Sequence, residues 1–411
     1  EKLETENDNL RTALSWSLES PDVDPQKALQ LSGALQDFWD TRGYTSEGYQ
    51  WLSEALKKAP EMPTSQRCRA LAGAGLLCIR ISLDKVAIAY LDKALDLARQ
   101  LNIPPLIIPI LLGSAQAADD QVVARKRIEE AITLARTTQN QVFLSLALGM
   151  WALILSDNAP ETTRCIEEAY ELAEKLGNAH MRAFVLWAYG GIETQRTNYD
   201  LATRMTQEAL HLSQSLKDKH RTAHCLLLLG RIATQQTYYQ DAIGYEEQSL
   251  QILRDLSDRS CSCQALWWLG WNAYLGGDTN RAIEYLEECL FICREIESPY
   301  AYVPLIFLGR VVTSLGNTQK AKILLFEALE LLKKLEWNYL LAYCLEAVCA
   351  ISAIPSNQAA RLLGKAEAIR AKEAIVIPIS ERHLVDPIIE RLQSQLGKEA
   401  FDSARAAGGA L

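Results

Sequence analysis

The chain has 411 residues, of which 49% are hydrophobic and 23% are charged, and 13 are prolines. Its net charge of −9 argues against a nucleic-acid-binding surface, because phosphate contacts need clustered lysine and arginine. No stretch is long and apolar enough to span a membrane, and alternating strand-like stretches are almost absent, so the composition favours an all-helical chain.

The N-terminal segment is predicted to be a capping helix within residues 1–20. Because the chain begins at Glu1 without a methionine or a cleavable apolar leader, we expect a piece of a longer protein rather than an exported one. Residues 3–18 carry apolar side chains at helical spacing: Leu10, Ala13, Leu14 and Leu18. These side chains are expected to cover the open face of the first hairpin, which is predicted over 28–44 and 48–58.

From residue 26 to residue 371 the sequence repeats at intervals of roughly 40 residues. In the clearest copy, 264–296, the turn Gly276-Gly277-Asp278 separates two helical stripes. A small residue stands twelve positions after the glycine of each clear repeat and another stands nineteen after it: Gly75, Ala87, Ala94; Gly190, Ala202, Ala209; Gly230, Ala242, Ser249; Gly270, Ala282, Cys289; Gly309, Ala321, Ala328. Since helices approach to about 8 Å only where side chains are small, this pattern predicts the helix crossing in each hairpin.

The same frame extends to nine units. Gly113 and Gly149 fit after a slip of about one residue, and Gln36 and Ala347 hold the equivalent places in degenerate end units. We therefore predict an all-α fold, a right-handed superhelical solenoid of about nine helical hairpins with helical caps at both ends.

The C-terminal segment, 372–411, is predicted to close the array after the solenoid at 26–371. It contains the proline-marked stretch 375–378, a helix from about Ser380 to Leu396, and a final short helix in LGKEAFDSARAAGGAL. A terminal repeat needs such a cap over its open apolar face.

The hairpin with Leu-Gly and two spaced small residues resembles the tetratricopeptide repeat (TPR), here with a longer period. The end segments, EKLETENDNLRTALSWSLE and ARLLGKAEAIRAKEAIVIPISERHLVDPIIERLQSQLGKEAFDSARAAGGAL, resemble those of STAND-class ATPase regulators, which include LuxR-like and SARP-like transcription regulators and NB-ARC proteins. In that class a P-loop ATPase and a winged helix precede a TPR sensor. The resemblance implies a cytoplasmic sensor or scaffold that binds a peptide, protein or small effector in a concave groove and controls upstream ATPase and winged-helix domains of the same polypeptide.

Nucleotide binding and catalysis are not expected in this region. No G-x-x-x-x-G-K-[ST] motif occurs, and the pairs Gly364-Lys365 and Gly397-Lys398 lie in helical sequence. No serine or cysteine nucleophile has a recognisable base beside it. We therefore predict a sensor without a cofactor; the alternative is an enzyme that uses the groove as a substrate cleft.

Metal binding is also not expected. The ten cysteines mostly fall in helical stripes, where cysteine acts as a small hydrophobe, and this suits a reducing cytosol. Cys261 and Cys263 lack a second ligand pair at usable spacing. His220 and His224 stand one helical turn apart, but nothing obvious completes a site around them.

Pairs of glutamates recur on the predicted second helices: Glu129 and Glu130, Glu167 and Glu168, Glu246 and Glu247, Glu287 and Glu288. General acid and base catalysis needs carboxylates in different environments within a cleft. Because these pairs take matching places in the repeat, we predict that they face solvent.

The groove of this repeat class is lined mainly by the first helix of each hairpin, at fixed offsets from the glycine. These offsets select Trp187, Thr194, Gln195, His224, Arg231, Gln235, Gln264, Trp267, Trp271, Tyr274, Arg310 and Thr313. Trp267 and Trp271 share one helix face. Arg231 and Arg310 take the same offset in the units on either side, which predicts an aromatic floor with cationic flanks, suited to an acidic peptide or an anionic effector. In the alternative interpretation, Trp267 or Trp271 fills the contact between adjacent hairpins.

Overall fold

The computed structural model describes residues 2–410 apart from 21, 82, 119, 156–159, 336–337 and 373–378. Every regular element in this part of the chain is a helix, as predicted, and none of these helices is long and apolar enough to cross a membrane. The α-helices are α1 (Lys2–Thr5), α2 (Asn7–Glu19), α3 (Pro25–Arg42), α4 (Thr45–Lys58), α5 (Ser65–Arg80), α6 (Asp84–Gln100), α7 (Pro104–Gln116), α8 (Gln121–Thr137), α9 (Gln141–Leu155), α10 (Pro160–Leu176), α11 (Ala179–Gln195), α12 (Tyr199–Ser215), α13 (Lys219–Gln235), α14 (Tyr239–Asp255), α15 (Arg259–Leu275), α16 (Thr279–Glu295), α17 (Tyr302–Ser314), α18 (Thr318–Leu335), α19 (Asn338–Ala350), α20 (Ser356–Lys372), α21 (Ile379–Leu396) and α22 (Lys398–Gly409). One 3-10 turn, Pro299–Ala301, precedes α17.

The helices form two compact units. Unit 1 comprises Glu1–Leu229 and Gln251–Asp258, and unit 2 comprises Gly230–Leu250 and Arg259–Leu411. We number the hairpins 1 to 9 from α3–α4 to α19–α20. Hairpins 1 to 5 lie in unit 1 and hairpins 7 to 9 in unit 2, while hairpin 6 (α13–α14) supplies residues to both. The predicted helical-repeat fold is therefore confirmed.

Many of the three-residue linkers between helices share one backbone geometry. In the linker after α11, the amide of Thr197 donates to the carbonyl of Thr194 (3.1 Å) and the amide of Asn198 donates to that of Glu193 (2.9 Å), which is a Schellman motif. The middle residue of such three-residue linkers has a positive φ, whether or not it is glycine: Asn102, Gln139, Thr197, Lys217, Thr237, Ser257, Gly277, Glu297 and Gly316. The predicted turn at Gly277 is one of these. From α11 to α16 every helix has 17 residues and every linker has three, so each period contains two helices and two linkers.

The glycines predicted to lie at the helix crossings are found there. A Cβ on Gly270 would lie 2.5 Å from Cγ of Leu286 and 3.1 Å from the carbonyl oxygen of Ala282. In five hairpins the residue sixteen positions after the glycine makes this contact: Leu91, Thr206, Glu246, Leu286 and Leu325. Gly113 and Gly149 face side chains of neighbouring hairpins instead. This difference explains why these two glycines fit the repeat spacing only after a shift of about one residue.

The Gly270→Ala variant is expected to lose about 1 to 3 kcal/mol of unfolding free energy, because its methyl group must displace Leu286. The matched control is Gly244→Ala in α14, where a Cβ would meet no atom within 4 Å. This control removes a helix-interior glycine and is expected to gain about 0.5 to 1 kcal/mol. Denaturant unfolding measures both variants, and equal shifts would contradict the crossing assignment.

At the N-terminal end, α2 packs over hairpin 1. Leu14 is fully buried, and Leu10 and Leu18 pack against the same core. Ala13 was predicted to share this stripe but is exposed, whereas Ser17 is buried. Residues three or four positions apart share one face of a helix, so Ser17 lies on the same face as Leu14, and Ala13, its neighbour in sequence, does not.

At the C-terminal end, α21 and α22 pack with α20 in unit 2. Their shared core includes Leu363 of α20, Leu392 of α21 and Phe401 of α22, all buried. The predicted stretch 375–378 lies outside the described residues.

Candidate ligand-binding surface

Five aromatic side chains on α15 and α17 stack into one cluster in unit 2. The Trp267 ring stacks on that of Trp268, with centroids 4.1 Å apart, and on that of Phe307, with centroids 5.3 Å apart. Phe307 also meets Trp271 at 4.6 Å, and Trp271 stacks on Tyr274 at 5.5 Å. Phe307 and Trp271 are buried, while the other three rings are half-buried. We call these five residues the aromatic cluster.

Within the aromatic cluster, Trp271 does not line an open surface. It is only 1% exposed, and its ring packs on Phe307 of the next hairpin. This position matches the alternative interpretation, in which a tryptophan fills the contact between hairpins. Trp267 keeps exposed area on the same helix. Trp268, which the repeat offsets did not select, adds a third half-buried ring to those of Trp267 and Tyr274.

Arg310, predicted as a cationic flank, is buried and paired. It is 6% exposed, and its Nη2 lies 3.2 Å from Oε2 of Glu346, which is 1% exposed. Arg370 donates to the same carboxylate through Nε (2.7 Å) and Nη2 (3.0 Å) and lies 4.3 Å above the Tyr343 ring. Burial opposes the charge on Arg370, but its bonds to Glu346 raise its pKa above the ordinary value. Arg310, Glu346 and Arg370 form an arginine–glutamate triad with a formal charge of +1, which joins α17, α19 and α20.

The other candidates in unit 2 differ in exposure. Gln264 is exposed, and Arg231 and Gln235 are half-buried. Thr313 is half-buried and donates its hydroxyl hydrogen bond to the Gly309 carbonyl (2.7 Å), within its own helix. Gln264, Arg231 and Gln235 therefore retain surface for a ligand, and their role in binding stays a prediction.

In unit 1 the candidates Trp187 and His224 contact each other. Nε1 of Trp187 donates to the carbonyl oxygen of His224 at 3.2 Å, and the two rings meet edge to face at 5.9 Å. The Arg221 guanidinium lies 5.0 Å from the ring centres of both Trp187 and Phe184. This cation–π arrangement was not found from the sequence, because Arg221 lies outside the offsets used there.

The remaining two candidates of unit 1 lie at the end of α11. Thr194 is 5% exposed, and its hydroxyl donates a hydrogen bond to the Gly190 carbonyl (2.7 Å). Its side chain therefore bonds within its own helix and does not line an open surface. Gln195 is exposed.

Unit 1 also brings together charged and titratable side chains that are far apart in sequence. Asp40 and Arg80 form an ion pair at 2.8 Å, and Nδ1 of His220 lies 3.6 Å from Oδ2 of Asp258. Burial, together with the positive charge of Arg80, lowers the pKa of His220 to about 3. Burial likewise lowers the pKa of His224, so both imidazoles are neutral at pH 7.

The histidine pair is not part of a metal cluster in the described ranges. There, one group of three or more histidine, cysteine or acidic side chains is close enough to hold an ion, and it consists of Cys263, Cys289 and Cys293. Sequence reasoning missed this group because it sought further ligands close to Cys261 and Cys263 along the chain.

Glu246 is fully buried, so the prediction that the acidic pairs face solvent is wrong for this residue. Nδ2 of Asn272 donates to both carboxyl oxygens of Glu246, at 2.9 and 3.1 Å, and Thr234 donates to Oδ1 of Asn272 at 2.8 Å. Burial raises the pKa of Glu246 well above 4.5, although the Asn272 bond acts against this shift. The prediction misaligned the repeats by one residue. Glu246 occupies the same repeat position as the core residue Leu286, forty residues later, so Glu247 is the exposed member of the pair.

Comparison with known proteins gives partial sequence matches. No family model matches the chain. It is 30% identical over 200 residues to proteins named "Putative HTH-type transcriptional regulator" from Mycobacterium bovis and Mycobacterium tuberculosis. The match covers 45% of this chain and 22% of those proteins, so the chain spans less than a quarter of their length.

Comparison with solved structures gives matches at low sequence identity. A Rap protein complexed with Competence and Sporulation Factor has a TM-score of 0.58 and 14% identity, over 84% of this chain and 95% of that one. A STAND protein with a tetratricopeptide repeat sensor from Pyrococcus horikoshii has a TM-score of 0.45 and 16% identity, over 81% of this chain and 53% of that one. At these identities the similarity to the Rap protein establishes a common helical-repeat fold.

Proposed function

We propose that this chain is a sensor region of a larger regulator and that it binds a peptide through the half-buried rings of Trp267, Trp268 and Tyr274. One observation carries the proposal: these rings are partly open to solvent, yet other aromatic rings hold them in place. Trp267 stacks on the buried ring of Phe307, and Trp268 stacks on Trp267. Tyr274 stacks on the buried ring of Trp271. Aromatic rings that are already fixed offer contact area with little further loss of entropy, which is the property of binding hot spots.

The arginine–glutamate triad of unit 2 favours an acidic peptide. Arg310 of the arginine–glutamate triad is one helical turn from Phe307 on α17, and the triad carries one positive charge that its own carboxylate does not neutralise. A buried net charge acts over longer distances than a solvated one, because less water screens it. The exposed amide of Gln264 on α15 offers hydrogen bonds to a peptide backbone.

The comparisons support a regulatory role for such binding. The structure with a TM-score of 0.58 belongs to a Rap protein complexed with a factor, and the partial sequence relatives are named as HTH-type transcriptional regulators. In this proposal, peptide occupancy is passed to ATPase and winged-helix domains elsewhere in the same polypeptide. The region binds its ligand without chemical turnover; turnover of a peptide by the isolated chain would favour the enzyme alternative.

The Trp267→Ala variant is expected to lose binding of acidic peptides that are selected from a displayed library with the wild-type chain. Removing a central aromatic anchor costs about 2 kcal/mol or more of binding free energy, which corresponds to a loss of at least roughly thirtyfold in affinity. Fluorescence anisotropy with labelled peptides measures the dissociation constant, and thermal melting checks that the variant stays folded.

The matched control is Trp16→Ala, because Trp16 is 59% exposed and lies on α2, outside the aromatic cluster. This variant should bind the selected peptides with wild-type affinity. If both variants lost affinity equally, or if Trp267→Ala kept it, the peptide site would lie elsewhere. A peptide series in which Glu and Asp are replaced by Gln and Asn tests the charge preference.

A further inference from the structure

Three cysteines meet in the core of hairpin 7. Cys263 lies on α15, Cys289 and Cys293 lie on α16, and their sulfur atoms are all within 4.8 Å of one another. All three are buried free thiols, with exposures of 8%, 0% and 2%. Their hydrogen bonds include Sγ of Cys289 to the carbonyl of Cys263, at 3.3 Å.

The repeat itself does not require cysteine at these places. They lie seven positions before the crossing glycine and nineteen and twenty-three positions after it. Hairpin 2 has Cys68, Ala94 and Ala98 at these places, and hairpin 5 has Ala183, Ala209 and Ser213. At each of these positions alanine or serine therefore packs well enough in hairpin 2 or hairpin 5. Hairpin 7 differs because all three positions are cysteine and the three sulfur atoms lie close together.

We propose that Cys263, Cys289 and Cys293 bind one trivalent thiophilic metalloid ion, of the arsenite or antimonite class, through their three sulfur atoms. Thiolates are soft ligands, and two helices that present three of them at one point suit an ion that takes three sulfurs in a pyramidal arrangement. Small side-chain rotations bring the sulfurs to their final spacing.

The charge balance of the reaction explains why a buried site favours a trivalent ion. Arsenous acid, As(OH)₃, reacts with three thiols to form three As–S bonds while three As–O bonds break. Each thiol proton leaves with a hydroxide as water, so three water molecules are released and the product is neutral. A divalent ion held by three thiolates leaves a negative charge in the core, which burial opposes.

Burial of the three sulfur atoms also restricts access to the cluster. Because the three sulfurs are buried, entry requires local opening between α15 and α16, and binding is expected to be slow.

The test uses the full chain, reduced with a phosphine under anaerobic conditions and incubated with arsenite alone. After gel filtration, mass spectrometry is expected to find one arsenic per chain, and X-ray absorption is expected to show three sulfur neighbours. The melting midpoint should rise with arsenite concentration, because the ion binds the folded hairpin. No retained arsenic, or an arsenic with two sulfur neighbours, would overturn the proposal.

The variants Cys263→Ala, Cys289→Ala and Cys293→Ala place in hairpin 7 the residues that hairpins 5 and 2 carry: Ala183, Ala94 and Ala98. Each variant is therefore expected to fold and to lose arsenic during gel filtration. Cys225→Ala, which removes an equally buried thiol outside the cluster, should keep it. Equal retention by Cys289→Ala and Cys225→Ala would refute the site, and tighter retention of Cd²⁺ than of arsenic would refute the charge argument.

Discussion

The Glu246→Gln variant is expected to be more stable than the wild type, by an amount that grows as the pH rises. Glu246 is fully buried in hairpin 6, and its one hydrogen-bonding side-chain partner is the neutral amide of Asn272 among the contacts described. A neutral amide cannot offset the cost of burying a carboxylate, so the folded state keeps the carboxyl group protonated. Glutamine has the same shape and carries no proton to lose.

The direction follows from the two pKa values of Glu246. In the unfolded chain the pKa is near 4.5, and in the folded chain burial raises it well above that value. Between these two values the folded state holds a proton that the unfolded state has released, so wild-type stability falls as the pH rises. The slope for one such group is about 1.4 kcal/mol per pH unit. Below the unfolded pKa both states are protonated, and the difference between wild type and variant becomes constant.

Urea unfolding of both proteins at several pH values measures this difference. The comparison cancels the contribution of His220 and His224, whose lowered pKa values make the wild type gain stability as the pH rises toward 6.5. Glu247→Gln is the matched control, because Glu247 is exposed on the same helix and pairs with Arg281 at 2.6 Å. Parallel stability curves for Glu246→Gln and wild type would show that the buried carboxyl is ionised in the folded state.

The repeat was predictable from the sequence because its signal is local. Within one hairpin, the glycine and the two small residues after it are set by a crossing distance that is the same in every copy. The contacts of Gly270 with Leu286 and Ala282 follow this frame directly. The repeat also predicts that Glu246 is buried, because Glu246 occupies the same repeat position as the core residue Leu286. Our prediction instead aligned Glu246 with Glu287, one residue later. A shift of one residue on a helix is a rotation of about 100°, which is enough to exchange core for solvent.

The candidate surface was less predictable because exposure depends on the neighbouring hairpin. Trp267 and Trp271 share one face of α15, yet Phe307 of the next hairpin covers the second and leaves the first half-open. Arg310 was predicted as a flank of the groove, but it is likewise covered and pairs with the buried Glu346. In unit 1, Arg42 reaches the Leu216 carbonyl across 174 residues, and no repeat offset indicates such a contact.

The Gly364→Ala and Gly408→Ala variants are each expected to release α22 from unit 2. At Gly364 a Cβ would lie 2.8 Å from the carbonyl carbon of Arg405, and at Gly408 it would lie 2.6 Å from that of Arg361. Both obstacles are backbone, fixed by helical hydrogen bonds, so the helices must move apart rather than rotate a side chain. Overpacking of this kind costs about 3 kcal/mol or more. Hydrogen exchange should show loss of protection in α22.

The adjacent glycine gives the matched control for this close approach. A Cβ on Gly409 would be 3.5 Å from the nearest atom, the carbonyl oxygen of Gly364, which is an ordinary contact. Gly409→Ala is therefore expected to leave α22 protected. Separation of the helices in the other two variants would also expose Phe401 and break the paired hydrogen bonds of Arg405 to Glu367, at 2.5 and 2.7 Å. If Gly408→Ala and Gly409→Ala kept equal protection in α22, the two helices would not be in backbone contact, and the glycines would serve only to end the chain's last helix.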